Sequence, residues 1–395
     1  MRNRELPPLP SLRSPARARF RLFVTALGLA CALHLPAKLT GQGFIRDFVI
    51  SGGATGEAWN GDFTAITVPQ IDSTERAVAW VGEWSASGEF ILLQRAHGLL
   101  EATFDAGFRQ FATAGYQLRN YAPREHSGLL KTTYRHALGG GRLGSVFTEA
   151  RARVLGITDR PPMPIYLSPG YEAYRLTAGY GKSVRDLDMD LAVSGERADF
   201  AAPALLRNLD LLDRTSLIVE AGGGKRNYRS SNSDVDYSGF RFFSAYRYHS
   251  YPKQGYGVLR ADHAVGLGGI YELSSERIYF KTTLDGTRSR SSSRRVEYNA
   301  ARLEMEVQWG FSETMGLTVS GKLARKRYID PGQHALVPGE EADNETNLYA
   351  EITRQLGLGV NGAFRLGWQK VETNFSGASY TRFGGGFFLR ARPGG

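Results

Sequence analysis

Apolar and polar residues alternate along most of this chain, and that alternation leaves few folds open to it. Leu303, Met305, Val307, Trp309 and Phe311 stand against Arg302, Glu304, Glu306 and Gln308. Met315, Leu317, Val319, Gly321 and Leu323 alternate with Thr318, Ser320 and Lys322, and Leu259, Ala261, His263, Val265 and Leu267 with Arg260, Asp262, Ala264 and Gly266. Residues 100–109 and 186–193 repeat the pattern. Successive side chains on a strand point to opposite faces, so each run reads as a strand with one apolar and one polar face. A soluble antiparallel sheet alternates in the same way. The turns decide between them.

Short connections fall at 138–142, 181–185, 273–276, 312–315 and 356–359. Longer polar or Pro-rich segments fall at 112–127, 156–170, 195–215, 285–295 and 329–345. Short and long alternate, as they do in membrane barrels with tight turns at one rim and long loops at the other. Parity counted backwards from the last strand holds from about residue 99 and gives about fourteen strands. Taking in 76–98 as a further hairpin gives about sixteen, and twelve is the lower alternative. Segment 222–236 should be short by this rhythm but reads as long and polar. With 47 Gly, 19 Tyr and 21 Phe, the composition suits a barrel, which uses Gly at bends and aromatics at the membrane interfaces. No period of 20–50 residues repeats, which disfavours propeller blades. Residues 203–213 have helical spacing and read as a short loop helix.

The final strand runs Tyr380-Thr-Arg-Phe-Gly-Gly-Gly-Phe-Phe-Leu-Arg-Ala391. Its Arg382, Gly384, Phe387 and Leu389 fit the spacing polar, Gly, apolar, apolar. That spacing resembles the closing-strand signal of bacterial outer-membrane β-barrel proteins, a general porin-like class. The chain continues through Arg392, Pro393, Gly394 and Gly395, past the position where the usual ending places an aromatic. The resemblance implies an all-β fold, a transmembrane antiparallel up-and-down β-barrel with a periplasmic C-terminus. It also implies the bacterial outer membrane as location. The implied partners are the barrel-assembly machinery, outer-membrane lipid and lipopolysaccharide. Oligomeric state is left open.

Residues 1–37 read as an export signal peptide: Arg2, Arg4, Arg13, Arg17, Arg19 and Arg21 precede an apolar run over 22–35 that is too short for a mature anchor. Cleavage is expected after Ala37. Cys31 is the single cysteine, and Gly28 stands three positions ahead of it where a lipoprotein signal usually has Leu. A mature chain without cysteine has no disulfide and no thiolate metal site. Six Arg and one Glu in 1–37 supply half of the formal +10, so the mature chain is only mildly basic and charge does not suggest nucleic acid as a partner. Residues 38–75 are a periplasmic lead-in, a plug segment or one more hairpin, and 76–395 the barrel.

Few motifs suggest chemistry. The stretch 222–226 (Gly-Gly-Gly-Lys-Arg) has Arg226 where a phosphate loop needs Ser or Thr, and 179–183 has Leu176 where the leading Gly belongs. Asp186, Asp188 and Asp190 share one strand face about 7 Å apart, which suits a luminal acidic row better than a calcium loop. The histidines lack metal-binding spacing, so no metal or cofactor is expected. His249-Ser250 and His126-Ser127 are the only pairs that recommend a hydrolase, and sequence neighbours on a strand point apart. No catalytic residue is assigned.

The polar faces carry Arg175, Arg241, Arg247, Arg260, Lys281, Arg302, Lys322 and Arg365, with Glu304 and Glu306 among the acids. These are the pore-lining candidates. They favour a channel for small polar or anionic solutes or an exported polymer. The alternative is a non-conducting barrel for attachment, secretion or envelope assembly, with an outer-membrane hydrolase a third reading.

Overall fold

A computed structural model describes residues 45–62, 76–114, 124–157, 170–200, 209–231, 234–254, 259–293, 296–329, 345–357, 359–372 and 379–392. The expected signal peptide and Cys31 lie outside the described residues. Among those residues the chain forms sixteen strands. They are β1 (Ile45–Asp62), β2 (Arg76–Gln94), β3 (Gly98–Ala114), β4 (Arg124–Ala137), β5 (Ser145–Ile157), β6 (Tyr171–Val184), β7 (Leu187–Phe200) and β8 (Arg214–Ser231). The second half holds β9 (Asp234–Tyr251), β10 (Arg260–Ser274), β11 (Ile278–Ser291), β12 (Tyr298–Gly310), β13 (Met315–Tyr328), β14 (Glu345–Gly357), β15 (Val360–Glu372) and β16 (Ser379–Ala391). Every strand pairs antiparallel with its sequence neighbours, and β1 pairs with β16 to close the barrel. Closure leaves no unpaired edge, which a spanning sheet requires because lipid supplies no hydrogen bonds to its backbone.

The connections sort by end. One rim carries links of two to seven residues together with Ile45 and Ala391, and the other carries links of six to sixteen. Two of the short links use backbone that favours Gly: Gly139, Gly140, Gly141 and Gly144 have positive φ in the β4–β5 link, as do Gly357 and Gly359 around the β14–β15 turn, whereas Arg185 takes that conformation in the β6–β7 link.

The strand count is sixteen rather than fourteen because β1 and β2 lie ahead of the point where parity counting began. Of segment 38–75, residues 45–62 form β1, hydrogen-bonded to β2 on one side and β16 on the other. Segment 222–236 is not a loop: β8 runs to Ser231 and β9 begins at Asp234, so only two residues turn the hairpin. Likewise 285–291 belongs to β11, and only 292–297 connects it to β12. Within 203–213 the helix is a single 3-10 turn, Leu209–Leu212.

The outer face is apolar. Phe387 is 72% exposed, Leu176 70%, Phe242 66% and Leu267 64%, values found in a water-soluble protein only as isolated exceptions, whereas here they recur on strand after strand. The register makes these side chains neighbours: Leu284, Leu303 and Leu323 lie directly opposite one another on β11, β12 and β13. The inner face is mostly polar and charged, with Glu57, Asp262, Lys326 and Glu351 each at most 8% exposed.

Candidate functional site in the barrel interior

All ten pore-lining candidates fall on the inner face, most of them between outward apolar neighbours. Arg175, for example, lies between Tyr174 and Leu176, respectively 40% and 70% exposed. They are spread along the barrel rather than gathered at one site. Arg241 bonds Asp190 at 2.6 Å, Arg302 bonds Asp285 at 2.7 Å, and Gln308 donates to Glu306 at 2.6 Å. Arg302 also reaches Glu304 at 3.4 Å, and Lys281 faces Glu306 across the ladder. Arg247 lies opposite Ile218 and Ala264. In the closing-strand signal, Phe387 and Leu389 point outward, while Arg382 points inward 3.7 Å from Glu57, beside Gly384.

The wall around the β1–β16 seam is electrically balanced. Arg109 of β3 bonds Glu57 of β1 and lies 3.2 Å from Glu83 of β2 and 3.5 Å from Glu125 of β4. Thr55 donates to Glu83 at 3.1 Å. Close by, Glu351 of β14 accepts from Arg365 of β15 at 2.9 Å and from Arg390 of β16 at 2.5 Å. Four carboxylates meet four guanidiniums here, since Arg382 joins Glu57 across the seam. This network ties the first strands of the barrel to the last.

The wall built by β5–β10 and β12–β14 is different. A cavity of about 610 Å³ at the long-loop end is lined by Arg151, Arg153, Arg175, Arg214, Arg260, Lys322 and Lys326, against only Glu196, Asp262 and Glu345. Aromatic rings hold several of the cations. Arg153 lies over Tyr171 at 5.6 Å, Arg214 over Phe200 at 5.7 Å, Arg260 over Tyr251 at 4.2 Å and Lys326 over Tyr298 at 4.3 Å. A ring attracts a cation through its quadrupole but brings no net charge, so the wall stays positive. Arg151 and Arg175 stand directly opposite on β5 and β6, a like-charge pairing that Glu220 of β8 partly offsets by accepting from Arg175 at 2.7 Å. The Nε atoms of Arg151, Arg175 and Arg214 are buried without a hydrogen-bond partner. Three of the seven cations, Arg175, Arg260 and Lys322, were legible from strand alternation. Arg151, Arg153, Arg214 and Lys326 were missed, although the alternation of 145–157 and 315–328 carries the same signal.

His249 also lines this cavity, and neither His-Ser pair of the sequence is brought together as a catalytic set. His249 instead faces Ser216 across β8–β9, Nδ1 to Oγ at 2.7 Å, with Asp262 opposite it on β10. This Ser-His-Asp row is not arranged as a nucleophile with its base. Ser216 is only 7% exposed and does not line the cavity. Asp262 is engaged by Arg260 at 2.7 Å and Ser291 at 2.5 Å rather than orienting the imidazole. Asp188 and Asp190 share the inner face as expected, but Asp188 accepts from Ser183 and Asp190 pairs with Arg241, so they do not converge on an ion.

No family model matches the chain, and no curated protein does. Solved structures do. The translocator domain of the autotransporter NalP from Neisseria meningitidis is 10% identical over 97% of this chain and 100% of its own, with a TM-score of 0.27. Salmonella typhi OmpF in complex with daunomycin is 13% identical over 86% and 96%, with a TM-score of 0.37. Pseudomonas aeruginosa OccK2 is 10% identical over 90% and 100%, with a TM-score of 0.33. At that identity and overlap the likeness carries no functional weight.

Proposed function

We propose that this chain is an outer-membrane channel for small polar solutes, selective for anions and without catalytic activity. The membrane placement is supported by the continuous apolar exterior of a closed barrel, which water would not tolerate and lipid favours. The selectivity is carried by one observation: seven cations against three carboxylates around the 610 Å³ cavity, with Arg151 and Arg175 directly opposed. Rings of fixed charge in a low-dielectric lumen set which ions enter. Planar-bilayer recording of the purified full chain tests this. In a potassium chloride gradient the reversal potential is expected on the chloride side, and Arg151→Glu combined with Arg175→Glu should move it toward potassium. Absence of any conductance would leave a non-conducting attachment or assembly barrel as the better reading.

A further inference from the structure

The register builds a second charged site, on the outside of the barrel. At the long-loop end, Arg288 of β11, Asn299 of β12 and Arg327 of β13 lie directly opposite one another. With strands about 4.8 Å apart, the two arginines flank Asn299 at about 10 Å. Arg288 donates to the Asn299 side chain at 2.8 Å, which fixes its direction along the surface. Both arginines are exposed, as are Arg290 and Arg325 beside them. One step toward the short-turn rim the row is Gly286, Ala301 and Arg325, two small residues that leave a depression. One step further it is Leu284, Leu303, Leu323, Thr346 and Lys370. A concavity of about 500 Å³ opens at this place, floored by the leucines and Trp368 and edged by Arg325 and Lys370.

Two features separate this patch from ordinary surface charge. Among the described residues, the outward positions of β11, β12 and β13 hold four arginines and no Asp or Glu. Elsewhere on the same rim Arg197 is paired with Asp199 two residues along its own strand, at 3.0 Å. Cations directly above leucines, on a surface bathed by lipid, match a molecule whose anionic head sits at the rim and whose acyl chains run down the wall. Guanidinium forks match the oxygens of phosphate in two-point hydrogen bonds.

We infer that the outer face of β11–β15 is a binding site for a phosphorylated, multiply acylated lipid of the leaflet facing the long loops. Arg288, Arg325 and Arg327 hold the phosphates, and the Leu284–Leu303–Leu323 row receives the chains. The inference rests on the membrane placement above and not on conduction.

Native mass spectrometry of the full chain in detergent, titrated with diphosphoryl hexa-acyl lipid A, tests it. The same lipid stripped of phosphate, and phosphatidylethanolamine, serve as comparisons. Preferential retention of the diphosphoryl lipid is expected, weakened about ten-fold or more by Arg325→Glu with Arg327→Glu and kept by the two Arg→Lys changes. The variants should remain heat-modifiable on gels, which shows an intact barrel, and should keep the wild-type conductance. Equal retention of the dephosphorylated lipid, or no effect of the charge reversal, would overturn the site. So would inorganic phosphate alone binding as well as the lipid, or cross-linking that shows a second copy covering the face. A wild-type chain that binds lipid A but does not conduct would remove the channel and leave this site standing.

Discussion

Gly386 shows how closely the seam is packed. A Cβ there would lie 2.5 Å from the Ala54 carbonyl oxygen and 2.9 Å from the Thr55 Cα, both backbone atoms that cannot swing aside. Gly386→Ala is therefore expected to cost about 1–3 kcal/mol, read as a lower urea midpoint of the folded band. Gly52, on β1 of the same seam, meets nothing within 4 Å, so Gly52→Ala should leave the midpoint within about 0.5 kcal/mol. Arg109 is the second sensitive residue. Arg109→Met leaves Glu83 and Glu125 in the interior without this partner, and the cost of breaking a buried pair is about 3–5 kcal/mol. Combining it with Glu57→Met should recover only part of that loss, because it removes one carboxylate that Arg109 neutralised but also the partner of Arg382, 3.7 Å away. Equal losses in the single and double variants would show that Glu57 is held by other groups.

At the scale of elements, alternation was the legible part and strand ends were not. The inward set on β12 and the outward set on β16 follow from period-two spacing, since one face must meet lipid and the other the lumen. Residues 222–236 and 285–291 misled because polar and Gly-rich composition suggests a loop, whereas strands that overshoot the membrane carry polar residues on both faces. The aromatic support of the cations was illegible for another reason: it depends on the register between neighbouring strands, such as Tyr298 of β12 with Lys326 of β13, which alternation within one strand does not give. The long-loop rim has its own tie. Lys253, in the β9–β10 link, bonds Asp213 at 2.7 Å and Asp210 at 3.3 Å, joining that link to the Leu209–Leu212 turn. Its hydrogen bond to Asp213 outweighs partial desolvation and raises the ammonium above the ordinary lysine value of 10.5. A raised cation contributes fully below the unfolded value and is lost only as pH climbs through the folded one. The tie should thus persist from neutral pH to beyond 10.5. Lys253→Met should speed amide exchange at 211–213 at pH 7, and an unchanged rate would show the tie to be ornamental.

For the whole molecule, the even strand count puts Ile45 and Ala391 at the same rim as the short links. A barrel inserted from the periplasm keeps its tight turns on that side and sends the long loops across. The cation-lined cavity and the Arg288–Arg327 row both lie toward the long-loop rim, so their exposure to the cell exterior depends on this orientation. The orientation is measurable because the chain's single cysteine, Cys31, falls within the expected signal peptide, so an introduced cysteine reports alone. Ser292 is exposed in the β11–β12 link, at the long-loop rim. Leu143, 61% exposed, lies in the β4–β5 link at the other. A maleimide carried on a polymer too large for the lumen should label Ser292→Cys on intact cells and reach Leu143→Cys only after lysis. The opposite pattern would invert the barrel, placing the cationic cavity and the arginine row on the periplasmic side, where the lipid inferred for that row would have to belong to the inner leaflet.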